Sequence, residues 1–334
     1  MRSYRVVEFG EPSSLEIHEI ADLTPGDQEV LVDVQAIGLN FPDVLVVQGK
    51  YQILPPRPFT PGKDMAGIVK AVGAGVQGIK PGDRVMSQIE FGAYAEQALT
   101  TQERAFTIPD DMSFAEAAAM GLVYQTAYFS LVERAQLKAG ETVLVGGAAG
   151  GVGLASVQLA KGLGATVIAG VRSEEAAAIA RESGADFTID LSRDNLRDSI
   201  RDQIKQLPLD KPGVDVVIDP VGGDFFAGAI RAMAWCGRLV VVGFVAGEIP
   251  SVKVNYLLVK NISVLGIQWS DYRDYTPERV VEAQGKLFEL WRQGAIRPHV
   301  GLEVGFEALP QALIQVSQGR VRGKAVVMTT RDRT

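Results

Sequence analysis

At 334 residues the chain is long enough to bury a sizeable core in about two domains, and its 47% hydrophobic and 22% charged content suits a soluble globular protein. A formal charge of −7 gives phosphate backbones no general attraction and no local basic patch offsets it, so nucleic acid is excluded as the main partner. No apolar run reaches membrane-spanning length, no secretory core follows Met1, and the single Cys236 rules out an internal disulfide; the expectation is a cytoplasmic protein with no membrane contact.

The first stretch, to about Pro109, carries short β-branched runs such as Val30-Leu31-Val32-Asp33-Val34, punctuated by Pro25-Gly26-Asp27 and Pro81-Gly82-Asp83. That is the pattern of a small irregular β domain. Ser113, with Glu116 three residues on, has the spacing of a capping box and predicts a helix over the Ala-rich stretch to Met120. From about Glu141 the rhythm changes: apolar runs over Thr142 to Gly147, Thr166 to Val171, Val214 to Asp219 and Arg238 to Gly243 alternate with helix-like segments. The alternation predicts an α/β fold with a doubly wound parallel sheet. Ala234-Trp235-Cys236-Gly237 reads as buried packing or a turn. Asn261 to Ile267 is the expected last strand, and a helix from Thr276-Pro277 presents Val280, Leu287, Phe288 and Trp291 on one face before the tail returns to the first domain.

Chemistry enters after the first of these strands, where Gly147-Ala148-Ala149-Gly150-Gly151-Val152-Gly153 leads into an apolar helix. A pyrophosphate needs backbone N–H donors at close range and the positive end of a helix, and glycine lets the backbone approach without a Cβ clash. In this βαβ context Gly147, Ala149, Gly150, Gly151, Val152 and Gly153 are the candidate dinucleotide-binding residues. An NADH-selective site places an acid at the end of the second strand to bind the ribose 2′-hydroxyl. Here Gly170-Val171-Arg172-Ser173 offers a guanidinium and a hydroxyl to a 2′-phosphate, so NADPH is the expected cofactor. Glu174 or Glu175 is the competing ribose ligand, although both fall in a helix's first turn, where acids commonly complement the dipole.

Several longer stretches resemble one family: Gly38-Leu39-Asn40-Phe41-Pro42-Asp43, Gly49-Lys50-Tyr51, Pro61-Gly62-Lys63-Asp64-Met65-Ala66-Gly67, Gly82-Asp83-Arg84-Val85, Asp219-Pro220-Val221-Gly222-Gly223 and Gly237 to Phe244. With the glycine turn, they make nearly the whole chain similar to the medium-chain dehydrogenase/reductase superfamily, in its zinc-independent quinone oxidoreductase (zeta-crystallin-like) branch. The resemblance implies a GroES-like β-rich catalytic domain over 1–122 and 268–334, split around a Rossmann domain over 123–267. Zinc-dependent members hold their metal through a cysteine in the first-domain loop and a histidine shortly after. This chain has Asn40 to Asp43 and then Gly62-Lys63-Asp64 there, and its only histidines are His18 and His299, too few ligands for zinc. No metal is expected.

By the same resemblance, Asn40 and Tyr51 lie beside the nicotinamide as the candidate catalytic residues. Asn40 would bond the ribose or the substrate oxygen. Tyr51 would donate its hydroxyl to a developing enolate, wall the pocket, or simply pack the turn before Pro55-Pro56. Asp43 is expected to brace this loop. Thr126 matches a position near the nicotinamide, or is a back-bonded helix threonine; Phe244 and Val245 follow a strand's C-terminal end, where ligands sit in open α/β sheets. Lys324 would reach the cofactor, or be an exposed lysine beside a strand. Leu45 stands where some members have a second tyrosine, which weakens the carry-over of quinone contacts, and Leu191 stands where members often have a tyrosine by the adenosine phosphate, which leaves more of the phosphate recognition to Arg172 and Ser173. The implied activity is reduction of a small quinone, with reduction of an enoyl or 2-alkenal C=C bond, or a non-catalytic cofactor-binding role, as the competing readings. The apolar strand Asn261 to Ile267, free of charge and proline, is expected at a sheet edge that pairs in a homodimer, unless a loop from the tail covers it.

Overall fold

A computed structural model of the chain describes residues 1–329. The chain forms two compact units, one of residues 1–122, 277–288 and 298–334 as far as described, the other of residues 123–276 and 289–297.

The first unit is built on a seven-stranded sheet whose order runs Val300–Gly305, Lys324–Met328, Glu29–Leu39, Asp64–Val72, Arg84–Gln88, Ala105–Thr107, with Gln97–Thr101 paired beside Glu29–Leu39. All pairings are antiparallel except the first, which is parallel. Val30, Val32 and Val34 point into a core shared with Val69, Val85 and Val327, and Leu31 between them is buried as well. Irregularity arises where the long central strand slips register against Asp64–Val72, between Leu31 and Val32 and between Val34 and Ala36. The helix after Ser113 forms as expected: the Ser113 hydroxyl accepts from the Glu116 N–H at 3.1 Å and the Glu116 carboxylate accepts from the Ser113 N–H at 3.1 Å. It spans Phe114–Tyr128, with a break at Gly121.

The second unit holds a six-stranded, wholly parallel sheet in the order Phe187–Asp190, Thr166–Val171, Thr142–Val145, Val214–Asp219, Met233–Val241, Ser263–Gly266. Numbered along the chain the order is 3-2-1-4-5-6, the doubly wound Rossmann arrangement, whose strand order reverses beside Thr142–Val145. Leu144, Ile168, Val217 and Leu239 fill its core with Phe225 and Phe226 from the helix Gly223–Ala232. Strand ends differ from the sequence reading for local reasons. Gly146 and Gly147 turn away after Val145, and Asn261, at φ 53°, caps the preceding helix Asn255–Lys260 rather than opening the last strand. Cys236 is not buried: it is exposed at φ 60°, at an irregular point of Met233–Val241.

The chain returns to the first unit at Pro277 rather than 268, because the helix Trp269–Tyr275 stays with the second, Tyr272 stacking on Phe129 at 4.5 Å between ring centroids. Segment 289–297 belongs to the second unit as well. Gln158 explains this: its amide donates to the Arg297 carbonyl at 2.8 Å and accepts from the Arg297 N–H at 2.8 Å.

Candidate functional site

In the second unit the glycine turn sits at the carboxyl end of Thr142–Val145, at the switch point where open α/β sheets bind ligands. Ala148 N–H bonds the Gly170 carbonyl at 3.0 Å and Gly150 N–H bonds Gly147 at 2.9 Å, so the turn is tied to the neighbouring strand before the helix Gly151–Gly162 begins. A Cβ on Gly153 would stand 2.2 Å from the Gly147 carbonyl oxygen, so this helix can start so close to the turn only with glycine there. Its first turn, Gly151, Val152 and Gly153, carries the N–H groups that a helix cannot satisfy within itself, and Ala149 lies in the loop just ahead.

The end of Thr166–Val171 carries Arg172, exposed, and then Ser173, whose hydroxyl caps the helix Glu174–Glu182 by accepting from the Ala176 N–H at 3.2 Å. Glu174 is engaged in an ion pair with Arg181. Next to the turn, Asp219 closes Val214–Asp219, its Oδ1 accepting from the Val221 and Gly222 N–H groups at 2.8 Å each while Oδ2 is buried without a partner. Burial holds this carboxyl up at about 6 against those two bonds. Val245 N–H bonds the Pro220 carbonyl at 3.2 Å, which brings Phe244 and Val245, both exposed, to the Asp219 loop. Thr126 is buried in the helix Phe114–Tyr128.

The first unit brings together Asn40, Asp43, Asp64 and Lys324, all buried. Asn40 ends the long central strand and opens the helix Phe41–Val47; its N–H donates to Asp43 Oδ2 at 2.9 Å, and Tyr94 donates its hydroxyl to the same oxygen at 2.9 Å. Asp43 therefore braces the loop, and burial raises its carboxyl to about 6, opposed chiefly by the Lys63 charge and the Tyr94 bond. Lys324 is not an exposed lysine. Its ammonium donates to Asn40 Oδ1 at 2.6 Å and the Leu39 carbonyl at 2.8 Å, with Asp64 at 3.5 Å. Desolvation pulls the Lys324 amine down and pushes the Asp64 carboxyl up, each opposed by the other's charge. These partners settle the Asn40 amide chemically, because an ammonium can only donate and a carboxylate can only accept. Its Nδ2 donates to Asp64 Oδ2 at 2.9 Å and the Gly38 carbonyl at 3.2 Å. Asn40 has no N–H left for a substrate oxygen.

Asp64 also accepts from the Leu122 N–H at 2.9 Å, where the helix resumes after Gly121, and a Cβ on Gly121 would lie 2.2 Å from that carboxylate. Tyr51 is half-buried against the first unit's core with the Lys63 ammonium 4.7 Å from its ring centroid. Among the described residues no three His, Cys, Asp or Glu side chains gather as a metal site, and no helix is long and apolar enough to cross a membrane.

Residues 26–115 match the alcohol dehydrogenase GroES-like domain, and residues 151–283 match the zinc-binding dehydrogenase family. Quinone oxidoreductase-like protein 2 of Mus musculus is 40% identical over 330 residues, which cover 98% of this chain and 92% of that one. The structure of Escherichia coli quinone oxidoreductase complexed with NADPH aligns with a TM-score of 0.89 at 30% identity, covering 98% of this chain and 100% of that one. Quinone oxidoreductase from Mus musculus is 33% identical over 332 residues, 98% of each chain. The chain belongs to the medium-chain dehydrogenase/reductase superfamily, in its zinc-independent quinone oxidoreductase branch.

In this oxidoreductase the buried charges Lys63, Asp64 and Asp219 carry no role in the motif pattern alone. The signal for the first two was present, a charged pair set between Pro61-Gly62 and the apolar Met65-Ala66 where a strand was about to enter the core. Asp219 follows Val216-Val217-Ile218 at the end of its strand, where its burial is equally readable.

Proposed function

We propose that this protein is an NADPH-dependent reductase of small quinones. The observation that carries the cofactor is the end of Thr166–Val171: no acid stands there, Arg172 is exposed, and Ser173, already accepting the Ala176 N–H, has its hydroxyl proton to give to a phosphate. In this reading the N–H groups at Gly151, Val152 and Gly153 hold the diphosphate, with Gly147, Ala149 and Gly150 shaping the turn. Within the second unit Phe244, Val245 and Thr126 lie against the nicotinamide end, and within the first Lys324 holds the Asn40 amide. NADPH supplies the hydride when bound. The quinone acceptor is favoured by the branch to which the chain belongs and by the absence of zinc ligands at Asn40 to Asp43 and Gly62 to Asp64.

Spectrophotometric NADPH oxidation with a naphthoquinone, a 2-alkenal and an acrylyl thioester tests this. The quinone should turn over fastest, and NADPH should outperform NADH. A preference for the alkenal or thioester would make the protein a C=C reductase. Silence on all three with NADPH still bound would make it a non-catalytic cofactor-binding protein.

We place the protein in the cytoplasm as a homodimer. Ser263–Gly266 lies at the edge of the parallel sheet, next to a helix whose Leu258 and Val259 are exposed, and edge pairing about a two-fold axis would satisfy its open backbone groups. Light scattering should give the mass of two chains, and Val264→Pro should shift it to one chain or to precipitate.

A further inference from the structure

Lys63 lies at the entry to the strand Asp64–Val72, and only 6% of its side chain is exposed. Its ammonium forms an ion pair with the Glu90 carboxylate and also donates to the Glu90 main-chain carbonyl at 3.3 Å. Its charge also acts on the buried Asp43 carboxyl, and two aromatic rings stand beside it, Tyr51 at 4.7 Å and Phe91 at 5.4 Å from the ring centroids. Both rings are only partly buried, and Phe91 also packs edge-on against Phe59 at 5.7 Å between ring centroids. A buried ion pair roughly breaks even with apolar packing, so stability alone is a weak reason to set a lysine here. The arrangement suits a flat conjugated molecule whose oxygen carries negative charge: rings lie against the Tyr51 and Phe91 surfaces, and the oxygen takes a Lys63 N–H. Asn40 cannot serve that oxygen, since both its N–H bonds are committed.

We propose that Lys63, between Tyr51 and Phe91, receives the acceptor's carbonyl oxygen and stabilises the negative charge that the oxygen gains on reduction. This rests on the quinone reading above. In that reaction the acceptor takes up one hydride with its two electrons, and the resulting monoanion takes one proton from water. Lys63 acts in the interval, donating to the charged oxygen in a half-buried place where such a bond counts for more than in water.

The test uses 4-nitrophenol, a planar probe whose two protonation states differ in colour, on the full chain without cofactor, and 1,4-naphthoquinone turnover with NADPH. Wild-type protein should bind the nitrophenolate about tenfold more tightly than the neutral phenol, lowering the bound probe's ionisation by about one unit. Lys63→Met should abolish that preference and lower kcat/KM for the quinone about tenfold or more, with the NADPH Kd unchanged. Lys63→Arg should keep the preference. Glu90→Gln removes the competing anion and should strengthen it, which decides the matter even where Lys63→Met does not fold. Equal binding of both probe forms by the wild type, or a preference that survives Lys63→Met or weakens in Glu90→Gln, would overturn the role of Lys63. Quinone turnover with an unaltered Lys63→Met would overturn it too and leave the quinone reading standing. A Lys63-dependent probe preference with no quinone turnover would support the anion site and overturn the quinone reading instead.

Discussion

The two candidate sites are made of different material. The glycine turn of the second unit is main chain from seven consecutive residues, Gly147 to Gly153, and its donors are the backbone of one helix start. The Asn40 cluster of the first unit is side chain, drawn from positions 40, 64 and 324 by strand pairing that sets Gly38 opposite Asp64 and Leu39 opposite Ala325. A backbone site depends on the absence of atoms at a few positions, and a side-chain cluster depends on the sheet being in register. The first should therefore fail by intrusion, and the second by loss of a partner.

Loss of a partner has the largest expected effect. Lys324→Met leaves the buried Asp64 carboxylate without its cation, and breaking such a pair costs about 3–5 kcal/mol, read as a lower denaturation midpoint. Pairing it with Asp64→Asn should restore part of that loss, because the neutral amide no longer needs the charge. If the double variant is as unstable as the sum of the singles, the two groups are not coupled and the cluster is no unit. Intrusion comes next. Gly153→Ala sets a methyl against the Gly147 carbonyl and should cost about 1–3 kcal/mol while weakening NADPH and NADH alike, about tenfold, in a fluorescence titration. Arg172→Ala sharpens the contrast within the second unit, since it removes a side chain and leaves the turn intact: NADPH should lose about tenfold, from a charge-assisted bond of about 1.5–3 kcal/mol, and NADH almost nothing. Equal losses for both cofactors would remove Arg172 from the 2′-phosphate.

The same difference explains what the sequence made legible. Strands Thr166–Val171 and Val214–Asp219 and the Ser113 cap are local patterns, and they form where the chain spells them. The glycine turn is local too, so its residues arrive together at the switch point. The fate of Asn40 was not readable, because nothing near it in sequence says that Lys324 and Asp64 will use up its amide. Lys324 itself looked like a surface lysine beside a strand; only the pairing of Lys324–Met328 next to the central strand puts its ammonium in the interior. In the sequence Lys63 is only the residue that stands in place of a zinc-ligating histidine, and nothing local says that Glu90, Tyr51 and Phe91 close around its cation.

The smallest expected effect separates the units by pH. Each contains one buried carboxyl with a satisfied oxygen and an orphaned one, Asp43 in the first and Asp219 in the second, and burial raises both from 3.8 to about 6. A carboxyl whose folded-state value lies above its unfolded value holds its proton more tightly in the native chain, so ionising it costs stability. The cost is present in full above about 6, declines as pH falls toward 3.8, and is absent below that. The thermal midpoint should therefore rise as pH is lowered from 8 to about 5. Glu96 and Glu141 act in the opposite sense, since their values are lowered, but their contribution is lost only at more acid pH and does not enter this window. Asp43→Asn and Asp219→Asn should each remove part of the slope, while Asp64, whose carboxyl burial also raises, contributes in the same sense and keeps part of it in the double variant. Calorimetry between those limits checks this, and a midpoint that falls steadily from pH 8 to 5 in the wild type would mean that both carboxylates are better solvated than their surroundings imply.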